Sequence, residues 1–170
     1  MIDPTEAIHV LHVDDEPDFA GMTAEFLERQ DERFVVETAT AVSEGVEYLA
    51  ERDIDCVVSD YDMPRENGIE FLKAVREKYP DLPFVLYTGK GSEEIASDAI
   101  SAGVTDYLLK ESGTSQYAVL ASRIQSAVEQ YRSKRAVEAS RKRLSLFFDQ
   151  SPIGVVEWNT DEAQQFLAAR

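Results

Sequence analysis

Polar side chains that could carry out chemistry stand at the ends of four short apolar runs in this sequence. They are Asp14 and Asp15 after the first run, Asp60 after the third, Thr88 at the end of the fourth and Lys110 after the fifth. Three carboxylates within a few Å of one another repel by roughly several kcal/mol in a partly buried site. They persist there either with shifted pKa values or with a bound cation. Because all ligand atoms would be oxygens, the cation would be a hard ion, and Mg²⁺ suits a carboxylate cluster that receives a phosphate.

This set of side chains is suited to phosphoryl transfer. A carboxylate can act as a nucleophile toward phosphorus, and Asp60 is the candidate. Lys110 would offer a compact positive charge to one phosphoryl oxygen, and the Thr88 hydroxyl a hydrogen bond to another. Each residue alone has an ordinary explanation, since acids after strands often cap helices, Thr-Gly pairs form turns and single lysines are usually solvated. The functional interpretation depends on all of them meeting at one edge of a sheet.

The elements that must position these residues are strands alternating with amphipathic helices. Apolar, partly β-branched runs predict strands at residues 9–13, 34–40, 54–59, 83–88 and 104–109. Helical spacing predicts helices over 17–30, from a cap at Ser43 to about 50, over 67–79 and 92–102, and from about 115 onward. The pattern predicts an α/β fold, a doubly wound five-stranded parallel sheet with helices on both faces and a long C-terminal helix. Ligands bind such sheets at the carboxyl ends of the strands.

The composition narrows the classes of partner. The formal charge is −16, from 33 acidic against 17 basic residues. Such a surface repels nucleic-acid phosphates, so we expect no direct binding to nucleic acid. The acidity also fits a halophilic cytoplasm, where salt screens self-repulsion, although a solvated surface explains it as well. Residues 1–131 carry a balance of −18 and residues 132–170 a balance of +2, which predicts a boundary near 131.

The sequence also predicts a cytoplasmic compartment and no membrane partner. No apolar run approaches the ~20 residues of a membrane-spanning helix. The first residues, MIDPTE, lack the positive charge and apolar stretch of a signal peptide. Cys56 is the only cysteine, which excludes an intrachain disulfide and a zinc site built from cysteines.

Five segments resemble the receiver domains of two-component response regulators, in that family's order and spacing. They are HVDDEP (12–17), VVSDYDMP (57–64), NG (67–68), LYTG (86–89) and GVTDYLLK (103–110). The resemblance spans about residues 7–130 and implies the flavodoxin-like receiver fold. It implies a phosphoacceptor switch rather than a metabolic enzyme, with only self-phosphorylation and slow self-dephosphorylation. Its implied partner is a histidine kinase or a phosphotransfer protein.

The resemblance also implies roles for individual residues. Asp60 is similar to the phosphorylation site, and Asp14 and Asp15 to the carboxylates that, with Asp60, hold Mg²⁺. Asp62 would add its backbone carbonyl to the metal. Thr88 and Lys110 would hold the phosphoryl group. Thr88 and Tyr107 match the switch pair, in which the hydroxyl moves toward the phosphoryl group and the aromatic ring follows, changing the surface near the fourth and fifth helices.

One position departs from the family pattern. The family usually has proline directly after the lysine, often through a cis bond, whereas Lys110 is followed by Glu111. A cis bond before a residue other than proline costs ~2.5–4 kcal/mol, so we expect a trans or more mobile loop. The departure puts the placement of Lys110 in question and leaves the acceptor untouched.

Two other functions compete with the phosphoacceptor. A haloacid-dehalogenase-like, Mg²⁺-dependent phosphatase also uses an Asp-x-Asp nucleophile, as in Asp60 and Asp62, with a threonine or serine and a lysine. Pro64 stands where that family wants threonine or valine, and its cap domain is missing. A phosphorylation-independent protein-binding module is the other alternative, which the missing proline supports and the complete set of acids opposes.

The C-terminal part predicts a helical linker and the start of a second domain. We expect a receiver domain over 1–130, a helical linker over 131–148, and a short tail over 149–170. The stretch 143–160, with LFFDQSPIGVV, resembles the opening of a PAS sensor domain, and a complete one does not fit before residue 170. It is either the start of a longer receiver–PAS or kinase protein or a short extension. The long helix could also pair with a second copy to form a homodimer.

Overall fold

The computed structural model describes residue 3 and residues 6–150, the last three as backbone only. Within this part of the chain, strands and helices alternate from start to end. In order they are β1 (Ile8–Val13), α1 (Pro17–Gln30), β2 (Phe34–Ala39), α2 (Val42–Glu51), β3 (Cys56–Ser59), α3 (Gly68–Lys78), β4 (Phe84–Thr88), α4 (Glu93–Ser101), β5 (Asp106–Leu109) and α5 (Ser115–Gln150).

The strands form one five-stranded sheet in the order β2-β1-β3-β4-β5, and every neighbouring pair is parallel. The order reverses at β1, which lies between β2 and β3. This is the doubly wound arrangement predicted from the sequence, and the prediction is confirmed. The crevice at the carboxyl ends of β1 and β3 is therefore the expected ligand site.

Two apolar cores lie on opposite faces of the sheet. Leu11 and Val57 belong to the core that includes residues of α2, α3 and α4. Val10 and Val58, their neighbours in sequence, belong to the core that includes residues of α1 and α5. Because successive side chains of a strand point to opposite faces, central strands buried on both sides must be apolar at every position. This explains the continuous apolar runs in the sequence.

Short-range signals set most helix ends. Pro17 stands in the first turn of α1, and Asn67 begins α3 with a capping box that its side chain shares with Glu70. Gly103 adopts a φ of +90° just after α4, the left-handed conformation that favours glycine. The predicted cap at Ser43 is wrong, because α2 already begins at Val42.

The fifth helix runs without a break from Ser115 to Gln150. Leu120, Ile124 and Val128 are buried in the core that also holds Leu27 of α1. The chain divides into two units, residues 1–131 and 132–170. In the second unit, residues 133–147 form an exposed helix. The boundaries near 130 and 148 stay predictions, and the predicted start of a PAS domain after 150 lies outside the described residues.

Among the described helices, none combines the length and the apolar character needed to cross a membrane.

Candidate functional site

The pairing of β1 with β3 brings two of the predicted carboxylates together. Val13 pairs with Ser59 in this ladder, so Asp14 and Asp60 leave their strands side by side. The backbone N–H of Asp60 also donates to the carbonyl of Val13, at 2.9 Å. The backbone of the acceptor candidate, Asp60, is therefore hydrogen-bonded directly to the neighbouring strand β1.

The predicted threonine and lysine, Thr88 and Lys110, lie at the ends of β4 and β5 on the same edge of the sheet. Thr88 ends β4 and pairs with Leu109, the last residue of β5. The N–H of Lys110 then donates to the carbonyl of Thr88, at 2.9 Å. Since β4 lies next to β3, these residues face the acceptor candidate.

Three carboxylates meet at this edge. Asp14, Asp15 and Asp60 each offer an oxygen, and these oxygens lie within 4.8 Å of one another. Asp14 has no exposed surface and Asp60 is 7% exposed. Negative charges this close in a partly buried place repel strongly unless a cation compensates them.

Lys110 supplies an internal cation to this cluster. Its Nζ lies 2.7 Å from Oδ2 of Asp14 and 3.5 Å from Oδ2 of Asp60. The same ammonium group lies 4.2 Å from the ring centre of Phe19 and 5.9 Å from that of Tyr87. A cation near aromatic faces is attracted by the ring electrons, so these contacts help to hold the ammonium group in place. The lysine is thus held over the acceptor although glutamate follows it.

The surroundings of Asp60 leave its carboxylate poorly solvated. Burial raises its pKa above the ordinary value, and the charge of Lys110 partly offsets this while Asp14 adds to it. The Tyr61 N–H donates to Oδ1 at 2.8 Å, and Thr88 lines the same cleft as this carboxylate. A carboxylate with few donors and a low local dielectric is a better nucleophile than a solvated one.

His12 lies behind the cluster and adds no charge to it. The ring is buried, and this burial lowers its pKa to about 4, although the charge of Asp14 opposes the shift. The imidazole is therefore neutral at pH 7.

The side chain of Asp62 forms an ion pair within the same cleft. Its Oδ2 lies 2.6 Å from Nζ of Lys90, and both side chains are largely exposed. The role of the Asp62 carbonyl toward a metal stays a prediction. Sequence reasoning missed Lys90, whose backbone N–H also donates to the Thr88 hydroxyl at 3.2 Å. The Thr-Gly-Lys order gave no signal for this ion pair, because Asp62 is 28 residues away.

Tyr107 is half-buried beside the β4–α4 connection. Its hydroxyl is buried and has no hydrogen-bond partner among the described residues. A Cβ added at Gly91 would lie 2.6 Å from this hydroxyl oxygen. The ring therefore packs closely against the segment that follows Thr88.

Together these side chains line an open cleft of about 430 Å³. Its lining residues are Asp15, Glu16, Phe19, Asp60, Asp62, Thr88, Gly89, Lys90 and Lys110. Four acids and two lysines are among these lining residues. This distribution suits a metal ion together with a small, doubly charged anion.

Comparison with known proteins agrees with this geometry. The sequence model of the response regulator receiver domain matches residues 10–122. The chain belongs to the receiver domain family. The response regulator SaeR of Staphylococcus aureus is 28% identical over 138 residues, which cover 81% of this chain and 59% of that protein. The chain thus spans less than two thirds of the curated relatives it matches.

Solved receiver domains have the same fold. One from Clostridium thermocellum is 26% identical with a TM-score of 0.66, covering 74% of this chain and 97% of that one. The beryllofluoride-activated NtrC4 receiver domain dimer is 29% identical with a TM-score of 0.64, covering 72% and 98%. The match of the family model ends at residue 122, within α5. The two structural matches cover nearly all of those solved domains.

The acid cluster of this receiver domain fits a magnesium ion. Asp14, Asp15 and Asp60 offer only oxygen ligands, as a hard divalent ion requires. Receiver domains bind Mg²⁺ in such an acidic pocket.

Replacing Asp62 by alanine is expected to change the Mg²⁺ dissociation constant by no more than about twofold, since its side chain already pairs with Lys90. Replacing Asp15 by asparagine is expected to weaken Mg²⁺ binding by at least about tenfold, because the change removes one carboxylate of the acid cluster. Isothermal titration calorimetry compares the two variants. Equal losses would contradict the assignment of the Asp62 carbonyl.

Replacing Asp60 by asparagine is expected to stabilise the metal-free receiver domain at pH 7. The folded-state pKa of Asp60 is raised, so the folded state favours its protonated form and the ionised form destabilises it. The melting temperature of Asp60→Asn should exceed that of the wild type by a few °C, on the order expected for a change of about 1 kcal/mol. The difference in melting temperature between Asp60→Asn and the wild type should disappear as the pH falls through the raised pKa of Asp60 toward the unfolded value of about 4.

Glu47→Gln, an exposed acid on α2, is the control for removing one negative charge from an acidic protein. Thermal unfolding at several pH values, with chelator present, makes the comparison. An advantage for Asp60→Asn that does not exceed that of Glu47→Gln would contradict the account of Asp60 burial.

Proposed function

We propose that this receiver domain is a phosphoacceptor switch whose acceptor is Asp60. The observation that carries the proposal is the position of Lys110, whose ammonium group lies between the carboxylates of Asp14 and Asp60. An acid cluster alone is common, whereas an acid cluster with a half-buried lysine and a threonine in the same cleft is suited to phosphoryl transfer.

In the proposed reaction, an Asp60 carboxylate oxygen attacks the phosphorus of a phosphohistidine on a histidine kinase or phosphotransfer protein. A bond between oxygen and phosphorus forms, and the bond between nitrogen and phosphorus breaks. Its electron pair returns to the donor's imidazole. Mg²⁺ at Asp14, Asp15, Asp60 and the Asp62 carbonyl would neutralise phosphoryl oxygens during the transfer. This chain's catalysis is limited to that self-phosphorylation and a slow self-dephosphorylation.

The phosphoryl group would be held by two side chains. Lys110 would move its ammonium group from Asp60 to a phosphoryl oxygen, a distance of a few Å at most. The hydroxyl of Thr88, which lines the same cleft as Asp60, would donate to a second oxygen. Both are donors already in place before the charge arrives, which is the arrangement that lowers a transition state most.

We further infer that Thr88 and Tyr107 transmit the switch. A shift of the Thr88 hydroxyl would move the connection that follows β4, and the ring of Tyr107 packs on this connection at Gly91. The surface that would change carries exposed apolar side chains on α4, β5 and α5, namely Ile100, Leu109 and Val119. New contacts to a charged group bias such an element between two arrangements.

The proposed partners follow from charge and family. A histidine kinase or phosphotransfer protein would dock at the cleft in the cytoplasm, and the −16 charge argues against direct binding to nucleic acid. No contact within the described residues favours a phosphatase or a phosphorylation-independent binding module. A halophilic source and the start of a PAS domain stay predictions.

We also propose that the exposed part of α5 pairs with a second copy of the chain. Val137, Leu144 and Phe147 are exposed and stand seven and three residues apart, the spacing of a coiled-coil seam. Leu144→Glu is expected to weaken self-association by at least about tenfold, a cost of about 1.4 kcal/mol. Ala139→Glu, with the same charge change on the opposite side of the helix, should not. Sedimentation velocity separates the two, and a monomeric wild type would exclude the dimer.

The phosphoacceptor is tested with a small phosphodonor. The protein is incubated with Mg²⁺ and acetyl phosphate, and its intact mass is measured under acid. We expect a gain of one phosphoryl group that survives acid, is lost in alkali and requires Mg²⁺. Rapid turnover of a phosphomonoester would indicate the phosphatase, and absence of both the adduct and Mg²⁺-dependent beryllofluoride binding would exclude the phosphoacceptor.

A further inference from the structure

The loop after Lys110 lacks the proline that usually follows this lysine in the family. Glu111, Ser112, Gly113 and Thr114 separate the lysine from α5, and all are exposed. Gly113 has a φ of +90°, and no peptide bond among the described residues is cis. An exposed loop of this composition is mobile unless its backbone polar groups are held by other parts of the fold.

One buried side chain holds this loop. Gln116, in the first turn of α5, is 9% exposed. Its Oε1 accepts from the Glu111 N–H at 3.1 Å, and its Nε2 donates to the carbonyl of Glu111 and, at 2.7 Å, to that of Gly113. Both backbone groups of the residue after Lys110 are therefore bound by a single amide.

The same amide is tied to the strand that carries Thr88. The hydroxyl of Tyr87, the residue before Thr88, donates to Oε1 of Gln116. The ring of Tyr87 is also one of the two aromatic faces near the Lys110 ammonium. Gln116 thus connects the loop after the lysine to the aromatic ring beside that lysine.

This arrangement satisfies every hydrogen-bonding site of the glutamine. An amide has two donors and an acceptor oxygen with two lone pairs, and here Oε1 accepts twice while Nε2 donates twice. Glutamate could accept but not donate, and alanine could do neither. A fully satisfied buried network fixes its members more firmly than separate hydrogen bonds do.

We propose that Gln116 is the positioning residue that fixes Lys110 for contact with the phosphoryl group. It acts through the Glu111 backbone and the Tyr87 ring and does not touch the reacting atoms. The proposal rests on the proposed function, in which Lys110 binds a phosphoryl oxygen. It explains how a trans loop without proline keeps the lysine in place. Neither the sequence pattern nor the family match assigns this residue a role.

The test distinguishes an effect on the position of Lys110 from an effect on the metal site. Beryllofluoride, a mimic of the bound phosphoryl group, is titrated calorimetrically into the full chain at saturating Mg²⁺, and Mg²⁺ alone is titrated separately. For Gln116→Ala and Gln116→Glu we expect beryllofluoride affinity to fall by about tenfold or more, the fold-change of a lost charge-assisted contact. Mg²⁺ affinity should stay within about twofold, because Lys110 is not a metal ligand.

Gln125→Ala is the matched control, because Gln125 is also on α5 and bonds through its side chain to Asp31, at 2.8 Å. Neither affinity should change in it. In a Lys110→Ala background, Gln116→Ala should have no further effect on beryllofluoride binding, since coupled residues are not additive.

Three results would overturn the proposal. The first is beryllofluoride affinity within about twofold of the wild type in a folded Gln116 variant. The second is an equal loss of Mg²⁺ and beryllofluoride affinity, which indicates general structural damage, and the third is additivity with Lys110→Ala. If the wild type itself binds no beryllofluoride, the proposed function fails and the role of Gln116 fails with it.

Discussion

Replacing Lys110 by alanine is expected to slow phosphoryl uptake from acetyl phosphate by about a hundredfold or more, the usual cost of removing a preorganised donor from a transition state. The ammonium group is the cation nearest to Asp14 and also lies 3.5 Å from Asp60. Without it, the phosphodonor approaches a cluster that carries uncompensated negative charge. The rate is measured as the gain of phosphoryl mass with time at saturating Mg²⁺.

The same variant is expected to be less stable when no metal is present. Asp14 has no exposed surface and would lose the ammonium group 2.7 Å away. Breaking a buried ion pair by removing one partner typically costs about 3–5 kcal/mol. Added Mg²⁺ should recover part of this loss, because the metal compensates the same carboxylates.

Lys73→Ala removes an exposed lysine from α3 and serves as the control for the change in net charge. It should alter neither the rate nor the free energy of unfolding appreciably. A Lys110→Ala rate within about threefold of the wild type would contradict the role of this lysine, since such a change is worth less than 1 kcal/mol.

Replacing Gly68 by alanine is expected to lower the free energy of unfolding by about 3 kcal/mol, as steric overpacking does in a closely packed site. An added Cβ would lie 2.2 Å from the backbone oxygen of Asp60 and 2.8 Å from Cδ1 of Leu86. The Gly68 N–H also donates to the Tyr61 carbonyl at 2.8 Å, so the glycine cannot retreat without losing this bond. The acceptor loop must move.

Because the displaced carbonyl belongs to the acceptor, Mg²⁺ affinity should fall as well, on the order of tenfold. Gly21→Ala is the matched control, since no atom lies within 4 Å of its added Cβ. In the middle of α1 it should stabilise by about 0.5–1 kcal/mol. Urea denaturation of both variants gives the comparison. A Gly68→Ala protein as stable as the wild type would contradict this prediction, because the acceptor loop would then accommodate the added Cβ without cost.

The grouping of the site residues was predictable because a parallel sheet brings the carboxyl ends of all its strands to one edge. Once the strands were placed, Asp14, Asp60, Thr88 and Lys110 had to meet, whatever the detailed packing. The beginnings of strands were less predictable. The sequence predicts β5 from Val104, whereas the strand begins at Asp106, because the Val104 N–H donates to the carbonyl of Ala99 in α4.

Side-chain networks between distant segments could not be predicted. The ion pair of Lys90 with Asp62 depends on how two loops face each other. In the sequence, nothing distinguishes Gln116 from other residues of a long helix, and its proposed role depends on a loop conformation that no periodicity encodes. Phe19 has helical spacing typical of a core residue, and nothing in its pattern indicates an aromatic face beneath Lys110.

Locating the phosphoryl group on one residue tests the central claim most directly. The protein is phosphorylated with acetyl phosphate and Mg²⁺ and reduced with borohydride, which converts an aspartyl phosphate to homoserine. Peptide mass spectrometry then identifies the converted position. We expect conversion at Asp60 alone, and none in Asp60→Asn. Conversion at another aspartate, or an unconverted protein that nevertheless carries phosphate, would contradict Asp60 as the acceptor.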